Sequence, residues 1–144
     1  MTGATGGGGY EHFEVEADVG VRAWGPRAED AFARVAEGVF ALVADPTTIE
    51  ERERREVRAQ GEPDEVLVVN WINECLYVHD IEGFVVRRVE VDTLHPGFVH
   101  GVLLGEEFDR SRHHAGTIVK AATSHQVRVA RSADRVDVSV VLDV

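Results

Sequence analysis

From Val136 to Val144 every second residue is a branched aliphatic. Val136, Val138, Val140, Leu142 and Val144 fall on one face, and Asp137, Ser139, Val141 and Asp143 on the other. A period of two marks a half-buried β-strand, and a strand with one apolar face folds only where neighbouring strands and a covering layer receive it. The sequence ends inside this pattern, which sets the Asp143 carboxylate and a free carboxylate at Val144 one residue apart. Near the other end Val19, Val21 and Ala23 alternate with Gly20, Arg22 and Trp24, directly after Asp18 and before Gly25-Pro26. A carboxylate at the leading edge of a strand either ligates a metal or accepts N–H groups in a turn, and this stretch leaves both open.

Two helices and five further extended segments lie between or beside these strands. From Pro26 to Ala44 the positions Ala28, Ala31, Phe32, Val35, Ala36, Val39, Phe40, Leu42 and Val43 recur at helical spacing, with Arg27, Asp30, Arg34 and Glu37 on the opposite face. Asp45-Pro46 ends that helix, because a residue before proline avoids the α region. Pro63-Asp64-Glu65 opens a second helix to about His79, burying Leu67, Val68, Trp71, Ile72, Cys75, Leu76 and Val78. Its other side presents Asn70, Asn73, Glu74 and Tyr77 in one stripe, either a solvent face or a partner contact. The mixed charges of Glu50 to Gln60 suit an exposed edge strand. Tyr10–Glu16, Phe84–Asp92, Phe98–Glu106 and Ile118–Ala130 read as strands, with a turn at His95-Pro96-Gly97. Helices preceding a strand-rich half predict an α+β fold, a mostly antiparallel or mixed β-sheet with two helices packed on it.

With 144 residues, one domain is expected over 10–144. Residues 1–9, rich in glycine and poor in apolar side chains, are expected to be disordered. A net charge of −11, from 26 acidic against 15 basic side chains, disfavours direct binding of nucleic acid and favours cations or basic protein surfaces. One cysteine, Cys75, rules out an intramolecular disulfide and a multi-thiolate zinc site within one chain. No apolar run approaches the roughly 20 residues that span a bilayer. The expectation is a cytoplasmic protein without membrane association.

No phosphate-binding glycine loop, nucleophile elbow or dinucleotide fingerprint is present. His113, His114 and His125 are the nearest approach to a histidine cluster. They lack helical His-Glu-x-x-His spacing, so solvated or capping roles are favoured over a zinc site. Lys120 and Thr117, in the polar connection that follows Gly105-Glu106, either organise an anionic group or simply face outward.

Taken together, these residues resemble the archease family, the small accessory proteins of RtcB-type RNA ligases. The resemblance runs from Tyr10 to Val144. It is carried by Ala17-Asp18-Val19-Gly20 with Arg22 and Gly25, Asp45-Pro46, Trp71-Ile72-Asn73-Glu74-Cys75-Leu76-Tyr77, Gly105-Glu106 with Phe108-Asp109, His113, Gly116-Thr117, Lys120, Thr123, His125 and Val141-Leu142-Asp143-Val144. The chain departs from the family where Val15-Glu16 replace a usual His-Thr, Ile118 an acidic residue, Asn70 an aspartate and Ser124 a tyrosine. The resemblance implies a divalent-cation site, for calcium or magnesium, made by Asp18, Asp143 and Val144. Glu16, His113, Lys120 and His125 are candidates for a secondary polar site. The implied role is non-catalytic promotion of ligase guanylylation in tRNA splicing or RNA repair. A metal-dependent phosphoester hydrolase and a general chaperone or binding module are the rival readings.

Overall fold

The computed structural model describes residues 7–144. Seven strands and two helices follow the order β1 (Gly9–Val15), β2 (Asp18–Gly25), α1 (Ala28–Val43), a 3-10 turn (Pro46–Thr48), β3 (Glu53–Gln60), α2 (Asp64–Glu82), β4 (Phe84–His95), β5 (Phe98–Glu107), β6 (Ala121–Arg131) and β7 (Val136–Asp143). Of the segment expected to be disordered, residues 1–6 lie outside the described residues, whereas Gly9 opens β1 opposite Trp24.

The α+β class holds, with one refinement. The strands form two sheets rather than one, ordered β1-β2-β7-β6 and β3-β5-β4, and all their pairings are antiparallel. Both helices lie between the sheets. α1 packs on β1, β2 and β7 from one sheet and β4 from the other, and α2 packs on β6 and β3. On the polar face of α1, Asp30 and Arg34 are buried, Asp30 against Gly25 of β2 and Arg34 against β4. Buried charge there is compensated locally: Arg34 Nη2 donates to the Val89 carbonyl at 3.1 Å, Glu37 Oε2 accepts the Val89 N–H at 2.9 Å, and Arg34 Nε lies 3.1 Å from Glu37 Oε1. Burial is the main reason the Glu37 carboxyl is shifted upward, against the pull of Arg34.

Trp71 ties the layers together. It is fully buried, its indole N–H donates to the Phe32 carbonyl at 3.0 Å, and a Cβ on Gly101 of β5 would stand 2.7 Å from its ring. The charged run before α2 is an edge strand as expected, since β3 flanks only β5.

β6 begins three residues later than the alternation suggests, for a physical reason. The segment 114–117 instead satisfies the end of α1, where helix carbonyls lack partners. Gly116 N donates to Val43 O at 2.8 Å, Thr117 N to Leu42 O at 2.7 Å, and Asp45 N to His114 O at 3.2 Å. The approach is so close that a Cβ at Gly116 would lie 2.2 Å from the Leu42 oxygen.

Candidate functional site

Asp18 and Asp143 come together through strand register. β2 pairs with β7 from Val19↔Leu142 to Gly25↔Val136, so the next rung sets Asp18 opposite Asp143. Residues opposed in an antiparallel pair project to the same face, about 5 Å apart at Cβ. Leu142 and Val140 point into the core, which places the two carboxylates on the outer face with Gly20, Val141 and Arg22. Gly20 is needed because the Phe13 ring lies across it; a Cβ there would meet Phe13 Cζ at 2.2 Å.

Two flanking segments fix this rung. On one side, Val15 pairs with Asp18 across a two-residue turn whose first residue, Glu16, has φ +52°. On the other, Ala121 pairs with Asp143, and Lys120 N donates to Asp143 O at 2.8 Å. α2 holds the same edge through Asn73, whose amide makes a two-point clamp on the Ala122 backbone: Ala122 N–H to Oδ1 at 2.8 Å and Nδ2 to Ala122 O at 3.2 Å. The stripe of four therefore divides in two. Asn73 is committed to β6 and Asn70 Nδ2 to the Gln60 carbonyl at 2.7 Å, while Glu74 and Tyr77 face solvent.

The secondary candidates do not form one cluster. Glu16 sits in the β1–β2 turn, Lys120 is exposed beside Asp143, and His125 is exposed on an irregular part of β6 between Thr123 and Arg128. His113 is buried elsewhere, against Glu106. Its Nδ1 accepts the Asp109 N–H at 2.8 Å, so Nε2 carries the proton and donates to Glu106 Oε2 at 2.9 Å. Arg112 adds a two-pronged contact at 2.9 and 3.2 Å, and Glu50 N donates at 2.8 Å. These donors, Arg112 foremost, hold the Glu106 carboxyl down at about 2. Sequence reasoning picked out Glu106 only as part of the family likeness. Its role as a hub depends on Glu50 meeting it from 56 positions away and on the loop after β5 folding Arg112 and His113 back onto it, which no local pattern announces.

Among the described residues no three His, Cys, Asp or Glu side chains group so as to hold a metal ion. The geometry offers two aspartates on one exposed rung, all oxygen donors. That fits a hard cation keeping several waters and does not fit a closed zinc cage.

The archease protein family model matches residues 10–144, nearly the whole chain. The chain belongs to the archease family. It is 35% identical over 128 residues to a protein archease of Pyrococcus abyssi, covering 87% of this chain and 90% of that one. It is 32% identical over 136 residues to that of Sulfurisphaera tokodaii, covering 94% and 98%. Protein 1598 of Methanobacterium thermoautotrophicum, solved in solution, superposes with a TM-score of 0.77 at 30% identity over 94% of this chain and 99% of that one. A crystal structure of an archease, possible chaperone, from Thermotoga maritima shares the archease fold at a TM-score of 0.61 and 19% identity, over 92% and 94%. No helix among the described residues is long and apolar enough to cross a membrane.

Proposed function

We propose that this chain is a non-catalytic accessory protein that promotes guanylylation and turnover of an RtcB-type RNA ligase in tRNA splicing or RNA repair. Asp18, Asp143 and Val144 would hold a divalent cation, calcium or magnesium. What carries the reading is the register that opposes Asp18 and Asp143 on the outer face of β2 and β7. A cation bound there would supply positive charge at the surface that meets the ligase and its nucleotide. The chain's own residues do the positioning. The β2–β7 ladder fixes the spacing of the carboxylates, Lys120 N–H holds the Asp143 carbonyl, and Asn73 anchors the strand beside it. The −11 charge of the chain would favour encounter with a basic RNA-handling enzyme.

Transfer of radiolabelled guanylate from GTP to the ligase, measured with and without this protein, tests the reading. The expected result is faster transfer with the wild-type chain, negligible GTP turnover by the chain alone, and loss of the acceleration in Asp18→Asn and Asp143→Asn. An unchanged transfer rate across metals and protein ratios would remove the accessory role.

A further inference from the structure

Two open sheets have four edges, and an edge strand with unpaired N–H and C=O groups recruits another strand unless something blunts it. β1 and β6 bound one sheet, β3 and β4 the other. Helix side chains are bonded to the backbone at three of these edges. Asn73 of α2 takes the N–H and carbonyl of Ala122 on β6, Arg34 and Glu37 of α1 take the carbonyl and N–H of Val89 on β4, and Asn70 of α2 takes the Gln60 carbonyl at the end of β3. Irregularity adds to this. β6 leaves register with β7 between Thr123 and Arg128, β4 shifts twice against β5, and Arg55 Nη1 donates to the Arg54 carbonyl of β3 at 2.9 Å.

β1 has none of these devices. Its seven residues, Gly9–Val15, run beside β2 in unbroken register from Gly9↔Trp24 to Val15↔Asp18. They include no proline, lysine or arginine. Its polar side chains turn elsewhere: His12 Nε2 donates to the Gly38 carbonyl at 2.8 Å, and Glu11 accepts from Arg22 at 2.7 Å. Among the described residues no group outside β2 is bonded to the β1 main chain. Every second residue of an edge strand turns its N–H and C=O away from its neighbour, so β1 presents a regular row of donors and acceptors along its outer edge.

Side chains choose the occupant. A strand laid against β1 would set its residues opposite those of β1, alternately on the two faces of the sheet. On one face it would meet Phe13 and Val15, both half-buried, and on the other Tyr10, His12 and Glu14. Glu14 and Glu16 are exposed and have no ion pair among the described residues, and Arg22, the only cation on β2, is already held by Glu11. The complement is lysine or arginine opposite the glutamates, alternating with β-branched or aromatic side chains opposite Phe13. A second copy of this chain would instead bring its own Glu11, Glu14 and Glu16 into the joint. We propose that the β1 edge docks an extended basic segment of a partner protein, which adds to the sheet as a further strand. The proposal goes beyond the accessory role and needs no cation at Asp18 and Asp143. Its test contains neither ligase nor metal, so its failure and that of the accessory role can be told apart.

The probe is a fluorescein-labelled peptide in which lysine alternates with valine, followed by anisotropy. One control is methylated at every backbone nitrogen, and the other carries glutamate in place of lysine. The wild-type chain is expected to bind the probe about tenfold or more tightly than either control. The double variant Glu14→Lys/Glu16→Lys should lose the preference over the glutamate control with its thermal melt unchanged, since both side chains stand in solvent. Amide exchange followed residue by residue by NMR locates the docked strand: the probe should slow exchange about tenfold or more at alternate residues of β1 and leave β3, β4 and β6 as they were. Equal binding of probe and methylated control would overturn the proposal in favour of bulk charge attraction. Slowing confined to β3, β4 or β6 would overturn it in favour of another edge. Concentration-dependent dimerisation that slows the same β1 amides without the probe would overturn it in favour of a second copy of this chain.

Discussion

Glu106 is 3% exposed, and three groups from two segments donate to it, the side chains of the neighbours Arg112 and His113 and the backbone N–H of Glu50. Removing its charge leaves those donors aimed at a weaker acceptor. Glu106→Gln is expected to cost about 2–3 kcal/mol in urea denaturation at neutral pH. The sign with pH is fixed by its depressed carboxyl: the contribution is complete above the ordinary value of 4.5 and is lost as pH falls toward about 2. Acid unfolding of wild type and variant should therefore converge over that interval. Trp71 is a second residue on which much depends, because it contacts α1 and β5 at once. Trp71→Ala should cost about 3–5 kcal/mol, read as a lower denaturant midpoint. Trp71 was legible as core from helical spacing alone. Asn73 was legible only as a polar residue in a stripe, since its clamp on Ala122 spans 49 positions of sequence.

The sheet elements carry two further expectations. In the β1–β2 turn, Glu16 adopts φ +52°, a region that costs an ordinary L-residue roughly 1 kcal/mol and that asparagine tolerates better. Glu16→Asn should raise stability by about 0.5 kcal/mol, checked as an increase in Tm. Across the three-stranded sheet, His100 on β5 donates to Asp92 on β4 at 2.7 Å and lies 3.1 Å from Glu56 on β3, so all three strands are held by one imidazolium. The hydrogen bond to Asp92 is the main cause raising its pKa above 6.5. The clasp is therefore complete below pH 6.5 and lost as pH rises through the higher folded value. Tm measured upward from pH 6.5 should fall more steeply in wild type than in His100→Asn; parallel profiles would remove the clasp as a source of stability. Element existence was readable because period-two and helical patterns survive in isolation. That the polar face of α1 is partly covered was not legible, because Arg34 and Glu37 meet Val89 of β4 only in the folded chain.

For the whole molecule, the partition into two sheets around a helical layer could not be read from one sequence, because alternation identifies strands without saying which of them pair. Asp18 and Asp143, by contrast, were readable as candidates from their places at strand ends, and the register then set them opposite each other. If they hold a cation, magnesium or calcium at about 100 times its Kd should stabilise the fold by roughly 2.7 kcal/mol. The accompanying rise in Tm should vanish in Asp18→Asn and Asp143→Asn, and a wild-type rise kept by both would place the cation elsewhere. The pairing of β2 with β7 also dictates an order of events during synthesis. β1, β2 and α1 emerge early, but the inner strand of their sheet has no second neighbour until β7 has been made. Through most of translation, then, the nascent chain presents Val19, Val21 and Ala23 along an open strand edge, the condition under which growing chains recruit holding factors or aggregate. Loss of β7 by premature termination would leave that edge open permanently, so truncated products of this chain should be cleared by proteases rather than accumulate as partly active forms.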